Sequence, residues 1–157
     1  MYPYQSPLKE AIGLLKYYGK ISLAGPMARL MISSLRSLPP IDLIMPVPLH
    51  SARLREREYN QSLLLAHRLS THFHIPLTFT TLIRTRQTTP QTALSRKDRL
   101  KNLRRSFAVT SPESIKGKTV LLVDDVFTTG TTVNECAKTI RKAGSGDVYV
   151  VTLARIL

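Results

Sequence analysis

The chain has one cysteine in 157 residues, no tryptophan, and few acids: ten Asp and Glu against twenty-three Lys and Arg. A single thiol, Cys136, excludes an internal disulfide and any metal site built from several cysteines. No apolar run approaches the ~20 residues that a membrane-spanning helix needs. The first residues lack the basic, apolar and small-residue series of a secretion signal, so the expectation is a cytoplasmic protein without membrane insertion. No internal repeat or low-complexity stretch is found. Aromatics are scarce where stacking would need them: residues 84–105 contain none, and Tyr59 is alone between Arg53 and Gln61. The shortage of acids leaves a formal net charge of +13, which favours polyanionic partners.

Because acids are few, the place where two stand together is informative. Val120–Val123 is a short continuous apolar run, as expected of a parallel strand covered on both faces. It is expected to end in Asp124 and Asp125, followed by the loop Thr128, Thr129, Gly130, Thr131, Thr132 and a helix from about Thr132 to Lys142. One glycine and four threonines allow backbone N–H groups to turn inward. Such a nest, closed by a helix N-terminus, holds a phosphate without a cationic side chain. Asp124 and Asp125 are placed to accept hydrogen bonds from the hydroxyls of a ribose. The plainer reading is a strand–loop–helix turn capped by threonines. The acid pair beside a Thr-Gly-Thr loop is far more specific than a lone glycine-rich turn.

The rest of the chain alternates helical and extended patterns. Helices are expected at 6–18, with Leu8, Ile12, Leu15 and Tyr18 on one face, at 23–38 and at 60–73; strands are expected at 41–47, 77–83, 106–110 and 148–153. That order predicts a single α/β domain, 1–157, with a parallel sheet and helices on both faces. Residues 1–40 form its N-terminal helical part, and 84–105 a basic loop over the ligand end of the sheet. Ligands bind beyond the carboxyl ends of such strands. Arg53 and Arg57, four apart after the 41–47 strand, would share a helical face and suit a diphosphate, although Glu56 and Glu58 interleave as in an ordinary surface helix. Arg84, Arg86, Arg96, Lys97, Arg99 and Lys101, with Arg104 and Arg105, oppose a single acid, Asp98. They are candidates for pyrophosphate or nucleic-acid contact; a solvated loop is the plainer account.

The Asp-Asp-Val-Phe-Thr-Thr-Gly-Thr-Thr segment resembles the 5-phosphoribosyl 1-pyrophosphate (PRPP) motif of type I phosphoribosyltransferases. Together with Leu-Lys-Tyr-Tyr-Gly at 15–19, Pro-Val-Pro-Leu-His at 46–50, the Arg53–Gln61 segment and Arg-Thr-Arg-Gln-Thr-Thr-Pro at 84–90, it resembles the ComF/GntX competence family from about Tyr4 to the end. The resemblance implies a type I phosphoribosyltransferase-like fold, with Asp124 and Asp125 on the ribose and Thr128–Thr132 on the 5′-phosphate. It also implies Mg²⁺ carried with PRPP rather than on a dedicated protein site. The implied partners are PRPP or a phosphoribosylated ligand, single-stranded DNA and other competence proteins; the alternative is an active transferase with an unidentified acceptor. Family members usually begin with a zinc ribbon that this sequence lacks, so no zinc is expected. The family pattern also has glycine where this chain has Glu58; if that position needs φ > 0 or a close backbone approach to an anion, Glu58 adds strain or repulsion there and works against pyrophosphate binding. Purine salvage enzymes place an acid third after the pair; Thr128 stands there, which disfavours a purine acceptor.

Overall fold

The structure, a computed structural model, describes residues 1–35, 38–85 and 106–156. In chain order its elements are β1 (Tyr2–Pro3), α1 (Leu8–Tyr17), α2 (Ala24–Ser34), β2 (Leu43–Pro46), α3 (Ser51–Arg57), α4 (Gln61–Phe73), β3 (Leu82–Arg84), β4 (Phe107–Val109), β5 (Val120–Phe127), α5 (Thr131–Lys142) and β6 (Val148–Arg155). Four strands form a parallel sheet in the order β1-β6-β5-β2, with Leu43 opposite Val120 and Val120 opposite Val148. Strand alternation sorts the side chains onto two faces. Ile44, Leu121 and Val123 pack on Ile12 and Leu15 of α1, Met27 and Met31 of α2, and Leu65 and Leu69 of α4. Leu43, Met45, Val120 and Leu122 pack on Val133, Cys136 and Ile140 of α5 and on Leu82 and Phe107. With both faces covered, Leu43–Pro46 and Val120–Val123 are buried throughout, which is why they read as unbroken apolar runs. The expected α/β sheet with helices on both faces is the observed one.

Three expectations are corrected. The acid pair does not end its strand: β5 runs on to Phe127 because β6 continues beside it, pairing Phe127 with Arg155. The strand expected at 77–83 is mostly turn. Leu77 makes one parallel bridge to Ile44, the Thr78 and Thr81 hydroxyls meet at 2.8 Å, and only Leu82–Arg84 is strand, antiparallel to β4 and off the main sheet. The helix expected at 23–38 ends at Ser34, after a 3₁₀ turn at Ile21–Leu23. The short edge strand β1 has too few residues to show a periodicity and was not foreseen.

The turn between α3 and α4 aims the ligand end of β2. His50 Nδ1 caps α3 by accepting from Ala52 N at 3.2 Å. Asn60 caps α4 by accepting from Ser62 N at 2.9 Å, and its Nδ2 donates to Val47 O at 3.0 Å, which ties the turn to the end of the strand. Between them Glu58 adopts φ 65° and ψ −9°, the left-handed cap that glycine normally supplies. The glycine of the family pattern thus meets a real backbone demand, and Glu58 carries the strain. Glu58→Gly is expected to stabilise the fold by about 1 kcal/mol and raise Tm by ~2–4 °C, with no gain for Glu58→Ala; thermal melts of the two variants check this.

Candidate functional site

Asp124 and Asp125 are consecutive on a strand, so their side chains leave it on opposite sides. Asp124 is half-buried and lines a small cavity with Phe127, Thr128, Gly130, Thr131 and Thr132. Its Oδ1 accepts from Ser62 Oγ at 2.9 Å and from the Asp125 N–H at 2.9 Å. Ser62 lies in the first turn of α4, so the positive end of that helix faces the carboxylate. Burial, reinforced by the neighbouring Asp125 charge, still raises the Asp124 pKa to about 7, against the Ser62 and Asp125 N–H hydrogen bonds and Lys16. Asp125 is 5% exposed, and its Oδ2 forms a 2.7 Å ion pair with Lys16 Nζ.

Lys16 is a functional neighbour that the sequence reading did not single out. A signal existed: Lys16 lies four residues after Ile12, on the apolar face of α1, and a lysine buried there requires a partner. Tyr59 completes the enclosure, its hydroxyl donating to the Leu15 carbonyl. The C-terminal end of α1 and the N-terminal end of α4 are therefore both fastened around the acid pair.

The loop beyond the pair is shaped by Gly130, the residue before α5, at φ 73°. A Cβ there would also stand 2.6 Å from Phe127 Cζ, so glycine is required on two counts. Thr129 and Thr131 hydroxyls meet at 2.8 Å, and no side chain caps the helix, which leaves its leading N–H groups available to an anion.

Among the candidate cations, Arg84 is the one that interacts electrostatically with both Arg53 and Asp124. Burial and the Arg53 charge lower the Arg84 pKa, while Cys136 and Asp124 act in the opposite sense. The Arg84 guanidinium also lies 5.5 Å from the Phe107 ring centroid. Arg57 is turned elsewhere, 5.1 Å over the Tyr17 ring, in a cleft with Lys16, Glu56 and Tyr59. Arg86, Arg96, Lys97, Arg99 and Lys101 lie outside the described residues. Cys136 is buried beneath Asp124, and burial pushes its thiol pKa up, away from reactivity. Among the described residues no three His, Cys, Asp or Glu side chains are placed to hold a metal ion.

A parallel sheet with an acid pair and a glycine-hinged anion loop beyond its central strand defines a phosphoribosyltransferase-type fold. The comparisons agree: residues 60–155 match the phosphoribosyl transferase domain, and the chain belongs to that family, in its ComF-like competence branch. It is 37% identical to Competence protein F of Haemophilus influenzae, over 97% of this chain and 69% of that protein. It is 34% identical to DNA utilization protein YhgH of Escherichia coli K12, over 98% of this chain and 70% of that one. The structure also resembles adenine phosphoribosyltransferase from Thermoanaerobacter pseudethanolicus, with a TM-score of 0.57 at 15% identity over 88% of this chain and 71% of the other, a likeness of fold alone.

Two outcomes follow for the acid pair. Asp124 keeps its proton to higher pH folded than in the unfolded chain, where carboxylates of its type titrate near ~3.9. The folded state therefore binds the extra proton between that value and about 7, so stability falls as pH rises through this window and levels off above it. Asp124→Asn, which can still accept from Ser62, should gain on the wild type between the acid and alkaline ends of the window in urea melts; parallel curves would contradict the assignment. Lys16→Met strands a buried carboxylate and should cost about 3–5 kcal/mol, most of it recovered when Asp125→Asn is added, as a double-mutant cycle would show.

Proposed function

We propose that the chain binds PRPP, or another ligand carrying a phosphorylated ribose, and works in DNA uptake or the handling of single-stranded DNA in the cytoplasm. The observation that carries the ligand is Asp124 facing the Gly130 cradle across one small cavity. In this reading the N–H groups and hydroxyls of Thr128–Thr132 hold the 5′-phosphate, and Asp124 accepts from the ribose hydroxyls in its ionised form. Asp125 joins it once a ligand hydroxyl competes with Lys16. Arg53 and Arg84 hold the diphosphate. An oxygen donor set of one carboxylate and ligand phosphates suits Mg²⁺, which keeps several waters and seldom needs an all-protein cage. Bound there, the ion would neutralise charge building on a departing pyrophosphate. The DNA side of the proposal is supported by the +13 charge and by the names of the relatives, which concern competence and DNA utilization.

A second reading, an active transferase, is favoured by one observation: Arg84 feels the charges of both Arg53 and Asp124, so two cations flank the acid side of the site. In that reaction the C1–O bond to pyrophosphate breaks with both electrons going to the leaving group. The acceptor then bonds to C1 through an oxocarbenium-like state stabilised by electrostatics. The acceptor is unidentified, and Thr128 in place of an acid disfavours a purine.

Calorimetric titration with PRPP and Mg²⁺ tests both readings. Saturable binding is expected, weakened at least about tenfold, or ~1.4 kcal/mol, in Asp124→Asn with Asp125→Asn. Affinity unchanged in that variant would remove the acid pair from the site. Pyrophosphate release on adding an acceptor would favour transfer.

A further inference from the structure

Three large apolar side chains that stand exposed, Leu54 at 42%, Phe79 at 58% and Ile83 at 38%, do not lie on separate surfaces. They surround one cleft of about 450 Å³, walled further by Leu49 and Leu63 and bordered by Arg84. A clustered apolar surface of this kind marks a binding site more often than chance exposure does. Its position is equally pointed. It opens beside the carboxyl end of β2, and Arg84 belongs both to its wall and to the Arg53–Asp124 cluster.

Phe79 owes its exposure to the tertiary structure. In the sequence it alternates with Leu77 and Thr81 as a core strand residue would, but the Thr78–Thr81 hydroxyl pair closes a turn and Thr110 N donates to Thr81 O at 2.9 Å. The turn is pinned at its end, and the ring at its tip is left facing the cleft.

Apolar walls exclude a phosphate, whereas the Arg84 guanidinium at the border attracts one. Both demands are met by a ligand that joins a flat ring to an anion. Glu58 also lines the cleft, which confines the anionic end to the Arg84 side. We propose that this cleft is a nucleobase subsite for single-stranded DNA, with a base stacked on Phe79 between Leu54 and Ile83 and the adjoining phosphate on Arg84 at its border. The proposal rests on the DNA-handling reading above. The local cations and the +13 chain favour a polyanionic strand over an apolar protein segment as occupant.

The test uses the full chain and two labelled strands, an oligothymidylate and the same backbone with abasic sites, in fluorescence anisotropy. The wild type should prefer the base-bearing strand by about tenfold or more, as one stacked base contributes ~1–3 kcal/mol. Phe79→Ala should abolish that preference while the abasic affinity, its salt dependence and PRPP binding stay unchanged; Phe79→Trp should keep it. Equal binding of the two strands by the wild type, or a preference that survives in Phe79→Ala, overturns the subsite but leaves phosphate-directed DNA binding standing. Binding of neither strand, with PRPP still bound, overturns the DNA reading and the subsite together. Thymidine monophosphate competing as well as the strand would assign the cleft to a free nucleotide, and self-association lost in Phe79→Ala would assign it to a second copy; both overturn the proposal.

Discussion

Two carboxylates on consecutive residues of a buried strand repel each other and lose hydration together, and the fold around them answers each separately. Asp125 is neutralised by Lys16 at 2.7 Å from the α1 side. Asp124 accepts from a serine hydroxyl and one backbone N–H beside a helix N-terminus, and no cation forms an ion pair with it among the described residues. The consequence is an asymmetric pair: Asp125 is held in an ion pair with Lys16, while Asp124 has its pKa raised by burial and lines a small cavity. Removing one partner of such an arrangement costs more than the pair itself contributes, because it strands a buried charge.

That constraint explains why helices far apart in sequence end in one place. α1 contributes Lys16, α4 contributes Ser62, and Tyr59 bonds the turn before α4 to the Leu15 carbonyl of α1. Asn60 ties the same turn to Val47 at the end of β2. The acid pair thus sits inside a closed circuit of contacts joining the N-terminal helices, the central strand and the α3–α4 turn. Positioning by several rigid elements is what a binding constellation requires if its geometry is to hold before the ligand arrives. Arg84, half withdrawn from water, has its pKa lowered by burial and by the Arg53 charge, an effect that an anion bound beside it would offset.

How much of this was legible beforehand depended on the range of the interaction involved. The loop of Gly130 and its threonines, the helix expected from residue 60 and the runs of β2 and β5 are local, with chemistry contained in a few adjacent residues. The demand for φ > 0 at Glu58 was legible as well, since a backbone requirement follows the motif and not the side chain occupying it. Other features were not. Arg53 and Arg57 looked equivalent because they are four apart, and only the proximity of Tyr17 separates them. The 77–83 stretch looked like one strand because β-branched composition does not reveal where a strand is interrupted. The acid pair looked like a strand end because the partner that extends β5 to Phe127 is β6, more than twenty residues later.

By itself the sequence determined the class of fold: a parallel α/β sheet covered on both faces, with a Thr/Gly loop and a helix following its central strand. These follow from periodicity, burial and backbone conformation, which act over a few residues. The tertiary structure alone decided which carboxylate takes Lys16 as its ion-pair partner, which arginine interacts with the other, and where an aromatic ring stands exposed in a cleft that this arginine borders. Those are matters of charge and packing between elements distant in the chain, where the free energy depends on what a side chain meets in space and not on what it follows in sequence.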